Sequence, residues 1–361
     1  MKRALNFLAA ALATATFSLA PATARPALAA EAGTRTLAIP SAARGRDLAV
    51  TLWYPAQGDG ETVAVGDNRV FAGTSASENA QPAAGRHPLV VLSHGSGSTV
   101  QAMAWLAARL AQAGYIVAGP NHPGTTSGDS SPADTAKIWA RVDDLSTVVS
   151  ALLADPGWSG SIDADRIGVL GFSLGGATAM EMAGARADLE AYAGYCDANP
   201  SMADCRWYRG GRAFVDGEMV AVDPVDLRQV DRDLFERDNR DPRIKAAVLV
   251  DPALARAFTP ESLERIAIPM SFINLGAPGS VPVAVEAQGL AALTPQGTHA
   301  TVAGAIHYSF LAECKPDAKA FLASVGDTDP ICDDGGTRSR AELHRELVDL
   351  IKAELDRSLA P

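Results

Sequence analysis

A serine hydroxyl becomes a useful nucleophile when a base takes its proton and the backbone presents it to substrate. Gly171-Phe172-Ser173-Leu174-Gly175 has the spacing for that presentation. A strand-like run, Arg166 to Leu170, precedes it, and a small-residue helical run, Gly176 to Met180, follows. A strand that turns sharply into a helix strains the turn residue and crowds the positions two before and two after it. A bare G-x-S-x-G arises by chance in about 0.2 copies per chain of this kind, so the flanking strand and helix carry the signal. Ser173 is read as a nucleophile.

Six histidines compete to be its base. His307, in Gly304-Ala305-Ile306-His307-Tyr308-Ser309-Phe310, follows the last expected strand, where the chain order Ser, acid, His places the base. His87 precedes a strand, His299 enters one, and His344 falls on the final helix. His94, in a glycine-rich turn, and His122, in Asn121-His122-Pro123-Gly124, are candidate pocket residues. The orienting acid is assigned to Asp251, directly after Ala247-Val248-Leu249-Val250, because the turn from Leu275 to Ser280 contains no carboxylate. A carboxylate there can hold the His307 tautomer and stabilise its imidazolium. Glu286 is the reserve acid and is expected inside a helix. The turn Ser93-His94-Gly95-Ser96-Gly97-Ser98 follows a buried strand, and the backbone N–H groups of Ser96 and Leu174 are expected to form an oxyanion hole. A phosphate cradle is the rival reading of that turn, but G-x-x-x-x-G-K-[ST] is missing.

The elements that must position these residues alternate. Strands are expected over Asp47–Tyr54, His87–Ser93, Tyr115–Ala118, Arg166–Leu170, Ile244–Val250, Met270–Asn274 and Ala300–Ala303. Helices are expected over Met103–Ala113, Lys137–Leu153 and Ser339–Leu359. Gly58 to Gly85 reads as an exposed loop, and periodicity is lost over 187–241, read as a cap-like insertion over the sheet's C-terminal edge. This order implies an α/β fold with a mostly parallel central sheet covered on both faces, in one domain over 30–361. Ligands of such sheets bind beyond the C-terminal strand ends, where Ser173, Asp251 and His307 all fall.

With 361 residues, 47% hydrophobic, the chain can bury one large core. Lys2 and Arg3, the apolar run Ala4–Ala20 and Ala27-Leu28-Ala29 read as a signal peptide over 1–29, which predicts a secreted or periplasmic protein. No later run is long and apolar enough to span a bilayer, so no stable membrane anchor is expected. Removing Lys2, Arg3 and Arg25, and no acids, takes the net charge from −11 to −14 and disfavours nucleic acid and anionic lipid as partners. Four cysteines form two local pairs, Cys196 with Cys205 and Cys314 with Cys332, expected as disulfides in an exported chain. A metal site is the alternative, but no C-x-x-C spacing or adjacent histidine supports it.

Between Leu48 and Cys314 the chain resembles the α/β-hydrolase superfamily, more narrowly the predicted dienelactone-hydrolase group and the related platelet-activating-factor acetylhydrolases. The carriers are Ser93-His94-Gly95-Ser96-Gly97, Gly171-Phe172-Ser173-Leu174-Gly175-Gly176, Val250-Asp251-Pro252, Phe272-Ile273-Asn274 and Ile306-His307-Tyr308-Ser309-Phe310. The acetylhydrolases likewise take their acid from the earlier strand. Dienelactone hydrolases use a cysteine nucleophile where this chain has Ser173, and the insertion has no matching counterpart. Residues and resemblance together imply a cofactor-free serine hydrolase acting on small carboxylic esters through an acyl-enzyme, with short acyl groups implied by the resemblance alone. A long-chain lipase or polyesterase with the insertion as lid, a non-catalytic binding protein on the same scaffold, and acyl transfer to an alcohol are the alternatives.

Overall fold

Apolar runs buried on both faces alternate with amphipathic helices, and that alternation sets the architecture. The computed structural model describes residues 31–58, 60–336 and 338–360, so the expected signal peptide lies outside the described residues. In chain order the elements that frame the site are β1 (Ala32–Ser41), β2 (Arg46–Gln57), β3 (Glu61–Val65), β4 (Thr74–Glu78), β5 (His87–Ser93), α1 (Ala104–Gln112), β6 (Ile116–Pro120) and α2 (Ile138–Ala154). They continue with β7 (Ile162–Phe172), α3 (Leu174–Ala183), β8 (Ile244–Val250), β9 (Met270–Leu275), β10 (Gly297–Val302) and α4 (Arg340–Ser358).

The sheet runs β10-β9-β8-β7-β5-β6-β2-β1-β4-β3. From β10 to β6 every pairing is parallel, while β2 is antiparallel to both β6 and β1. Leu89, Val90, Val91 and Leu92 of β5 are all fully buried, as a central parallel strand requires. Leu145, Val149 and Met180 of α2 and α3 pack on one face. Leu106 and Leu110 of α1 join Leu343, Leu347 and Ile351 of α4 on the other. A capping box between Ser339 and Glu342 starts α4 and satisfies two of its free N–H groups. The parallel strands therefore end at one edge, and the turns after β5, β7, β8 and β10 gather there.

Two expectations need correction, and one strand was not expected. The segment from Gly58 to Gly85 is not a loop: it holds β3 and β4, paired over Glu61–Val65 and Thr74–Glu78. Both strands are short and carry exposed polar residues without a regular alternation, so hydropathy alone hides them. The strand Ala32–Ser41 had no expectation attached, yet it pairs with β2 along its whole length. Glu286 is not inside a helix; it precedes the short helix Gln288–Leu293.

The stretch 187–241 contains helices Leu189–Ala198 and Ala203–Arg209 and a hairpin, Arg212–Val215 with Glu218–Ala221. The hairpin pairs at Phe214 with Ser130, joining it to a second hairpin that follows β6. Trp207 Nε1 donates to Thr135 Oγ1 at 3.0 Å. Disulfides join Cys196 to Cys205, across the two helices, and Cys314 to Cys332. Closing loops of 9 and 18 residues restricts the unfolded chain, by about 3 kcal/mol for the longer. Peptide mapping without reductant is expected to recover these two pairs, and reduction to lower the melting temperature; free thiols or crossed pairs would contradict the pairing.

Candidate active site

Ser173 occupies the turn between β7 and α3 at φ 55° and ψ −120°, a left-handed conformation that costs a non-glycine residue of order 1–3 kcal/mol. The surroundings impose it. A Cβ at Gly175 would lie 1.9 Å from the Ser93 carbonyl oxygen, and one at Gly171 1.9 Å from the Gly175 carbonyl oxygen. Two backbone bonds lock the turn to the strand beside it: Ser173 N donates to Val250 O at 3.0 Å, and Ala253 N to Ser173 O at 2.9 Å.

Asp251 follows β8 with φ 43° and is fully buried. Its Oδ1 accepts from Asn274 Nδ2 at 2.8 Å and from the Leu275 N–H at 2.9 Å. Its Oδ2 accepts from His307 Nδ1 at 2.8 Å. That bond fixes the proton on Nδ1, which leaves the Nε2 lone pair facing Ser173 Oγ at 3.1 Å. The imidazole also stacks on Phe172 with centroids 4.8 Å apart. The turn that carries it, His307–Phe310, is tied down by Trp105 Nε1 to Phe310 O at 3.0 Å and by Ser309 Oγ, which accepts from Ile306 N at 3.0 Å. From α4, His344 Nε2 donates to Ser309 O and Leu311 O at 3.2 and 3.1 Å. The structure thus brings Ser173, His307 and Asp251 into one hydrogen-bonded chain.

The N–H groups of Leu174 and Ser96 donate to no acceptor among the described residues. Gly95 lies against Ser173, since a Cβ there would be 3.3 Å from the Ser173 Cβ. The other expected site residues are not part of that hydrogen-bonded chain. His94 and His122 are fully buried: His94 Nδ1 lies 2.7 Å from Gly95 O, and His122 bridges Ser93 Oγ and Asp144. Glu286 pairs with Arg256 at 3.1 Å and accepts from the Gln288 N–H. No group of three or more His, Cys, Asp or Glu among the described residues could hold a metal ion.

Some supporting residues went unassigned in the sequence. Asn274 bridges Asp251 to the Val285 carbonyl and the Ala287 N–H. Arg141 and Asp144 lie on the buried face of α2 beside Val142 and Leu145. Two charges within the apolar stripe of a helix were the available signal, because such groups are rarely buried without partners.

A hydrolase family described as "Serine aminopeptidase, S33" matches residues 85–209. A solved ferulic acid esterase from Streptomyces cinnamoneus superposes with TM-score 0.60 at 24% identity, covering 93% of this chain and 92% of that one. The chain has the α/β-hydrolase fold. An esterase from Pyrobaculum calidifontis aligns at TM-score 0.44 and 15% identity, covering 91% of this chain and 86% of that one. A predicted CIB-like hydrolase from Thermoplasma acidophilum aligns at 0.42 and 13%, covering 89% and 99%. No curated protein sequence matches. The comparisons do not single out the dienelactone-hydrolase or platelet-activating-factor acetylhydrolase group within this fold.

The buried imidazoles make stability depend on pH. Burial, aided by the Arg141 charge, holds His94 and His122 well below the usual histidine value, and burial with Arg340 holds His344 at about 4. Below about 6.5 the unfolded chain binds protons at these sites and the folded chain does not, so stability falls with pH. Glu181, raised by burial, acts in the opposite sense: its unfolded form ionises first as pH rises. A melting temperature lower by roughly 5 °C or more at pH 4.5 than at pH 7 is expected, and Glu181→Gln should steepen the loss. A flat profile in both proteins would contradict the buried neutral imidazoles.

Proposed function

We propose that the protein hydrolyses carboxylic esters through an acyl-enzyme formed on Ser173. The observation that carries this reading is the unbroken chain from buried Asp251 through His307 to a serine in strained backbone geometry. Ser173 Oγ would attack the ester carbonyl carbon while His307 Nε2 takes the hydroxyl proton. Negative charge then develops on the carbonyl oxygen, where the Leu174 and Ser96 N–H groups, with no acceptor among the described residues, supply donors. His307 returns its proton to the leaving alcohol as the carbon–oxygen bond breaks. Water, deprotonated by the same nitrogen, then attacks the acyl group and frees the acid and Ser173.

Asp251 contributes orientation and charge. Its second oxygen, occupied by Asn274 and Leu275, cannot swing to another partner, so the imidazole stays in the tautomer that makes Nε2 a base. The superposed Streptomyces protein is described as a ferulic acid esterase, and ester cleavage is the reaction proposed for this chain on the shared fold. The two disulfides, with no helix among the described residues long and apolar enough to cross a membrane, fit an exported protein. Small esters with short acyl groups are the substrates proposed.

Ser173→Ala is expected to lower kcat on short p-nitrophenyl esters roughly 10³- to 10⁶-fold at unchanged melting temperature. Asp251→Asn is expected to cost up to about 10⁴-fold. Glu286→Gln, whose carboxylate serves Arg256, should stay within about two-fold of the parent. Undiminished turnover by purified Ser173→Ala would overturn the proposal, and a crippled Glu286→Gln beside an active Asp251→Asn would move the acid.

A further inference from the structure

We propose that Arg141 and His94 are positioning residues for the oxyanion hole, holding the turn after β5 and the start of α3 so that the Ser96 and Leu174 N–H groups face the cleft. The inference deepens the ester-hydrolase reading and rests on it.

A glycine-rich turn does not hold an oxyanion donor by itself. Gly97 has φ 67°, and the peptide units around Gly95 can rotate to present a carbonyl instead of an N–H. In a planar trans peptide the C=O of one residue and the N–H of the next point in opposite directions. Anchoring the His94 carbonyl inward therefore turns the Gly95 N–H outward, and anchoring the Gly95 carbonyl does the same for Ser96. Both anchors are present. The Arg141 guanidinium donates to His94 O, and the His94 ring donates from Nδ1 to Gly95 O at 2.7 Å.

Arg141 also reaches the first turn of α3, which carries the Leu174 N–H. Its Nε donates to Thr178 Oγ1 at 3.2 Å, and Thr178 Oγ1 donates to the Leu174 carbonyl at 3.1 Å. Its remaining bonds go to Thr125 Oγ1 at 2.6 Å and Ser93 Oγ at 3.1 Å. One buried side chain thus spans both segments that carry the two free N–H groups.

The protons of the surrounding network close without a conflict. Arg44 holds Asp144 with two bonds, at 2.8 and 2.7 Å. Asp144 Oδ2 accepts from His122 Nδ1 at 2.9 Å, and His122 Nε2 accepts from the Ser93 hydroxyl at 3.0 Å. The His122 backbone N–H donates to His94 Nε2 at 3.2 Å, which leaves Nδ1 of that ring as the donor to Gly95. Ser93, His122 and Asp144 copy the atom-by-atom order of a catalytic triad, yet all three are fully buried and Arg141 occupies the serine oxygen. No substrate reaches them. A buried guanidinium with no carboxylate in contact is costly, and an apolar side chain would fill the volume at lower cost. Placement of the two oxyanion donors is the return on that cost.

The test compares Arg141→Met, Arg141→Lys, His94→Ala and Thr178→Val with the parent. It reads kcat per active site titrated with a fluorophosphonate, KM for a short p-nitrophenyl ester, melting temperature, and the inhibition constant of an arylboronic acid. The boronic acid bonds to Ser173 Oγ and places an oxygen in the hole. Because loss of one oxyanion donor costs about 10²- to 10³-fold, Arg141→Met is expected to lose about 10²-fold in kcat per titrated site. KM should stay within about three-fold, and boronate affinity should fall in parallel with kcat. His94→Ala and Thr178→Val should each lose about 10-fold, and Arg141→Lys should recover part of the loss. A purely structural role would lower the melting temperature and the titrated fraction while leaving kcat per site and boronate affinity at parental values. That result in folded Arg141→Met overturns the proposal; if Arg141→Met does not fold, the same result in His94→Ala and Thr178→Val overturns it. Failure of the hydrolase reading would show separately, as turnover that survives Ser173→Ala.

Discussion

The hydrogen bond from His307 Nδ1 to Asp251 is the constraint on which the rest of the site depends. Asp251 is fully buried, and burying a carboxylate is tolerated only where donors replace its water. Three do so: the Asn274 amide, the Leu275 N–H and the imidazole. Because two come from the end of the neighbouring strand, the carboxylate cannot move without disturbing β9. The imidazole inherits that rigidity, and its Nε2 is held 3.1 Å from Ser173 Oγ. The sheet converts parallel strand ends into a fixed line of three side chains drawn from 134 residues of sequence separation.

Among the described residues there are two Ser–His–Asp chains, and one of them faces outward. Ser173–His307–Asp251 and Ser93–His122–Asp144 have similar distances, 3.1 and 2.8 Å against 3.0 and 2.9 Å. Distance therefore does not distinguish the two serines. Backbone strain and access do. Ser173 is partly exposed at positive φ, whereas Ser93 ends a regular strand with no exposed surface and donates and accepts within the protein.

Much of the arrangement was readable because steric crowding leaves a mark on residue types. Gly171, Gly175 and Gly176 surround Ser173 since any side chain there would strike backbone, and that mark survives in the sequence. His307 and Asp251 could be chosen because strand ends and chain order restrict where an imidazole and an acid can meet. Depth beneath a turn leaves no such mark. His94 and His122 lie in segments that look exposed, and only the packing of α2 over β5 shows them to be buried. The polar strands β3 and β4 were unreadable for a related reason: their backbone pairing supplies the order, and their side chains need no apolar pattern. Asn274 and Arg141 matter through contacts with residues far away in sequence, which a single chain read in order does not display.

The most direct measurement is the site of covalent modification. Brief treatment with a fluorophosphonate, then digestion and mass spectrometry, reports which hydroxyl is activated by an imidazole. One phosphonyl group on the peptide containing Ser173 is the expected result. Modification at Ser93, or none on a folded protein, would contradict the account.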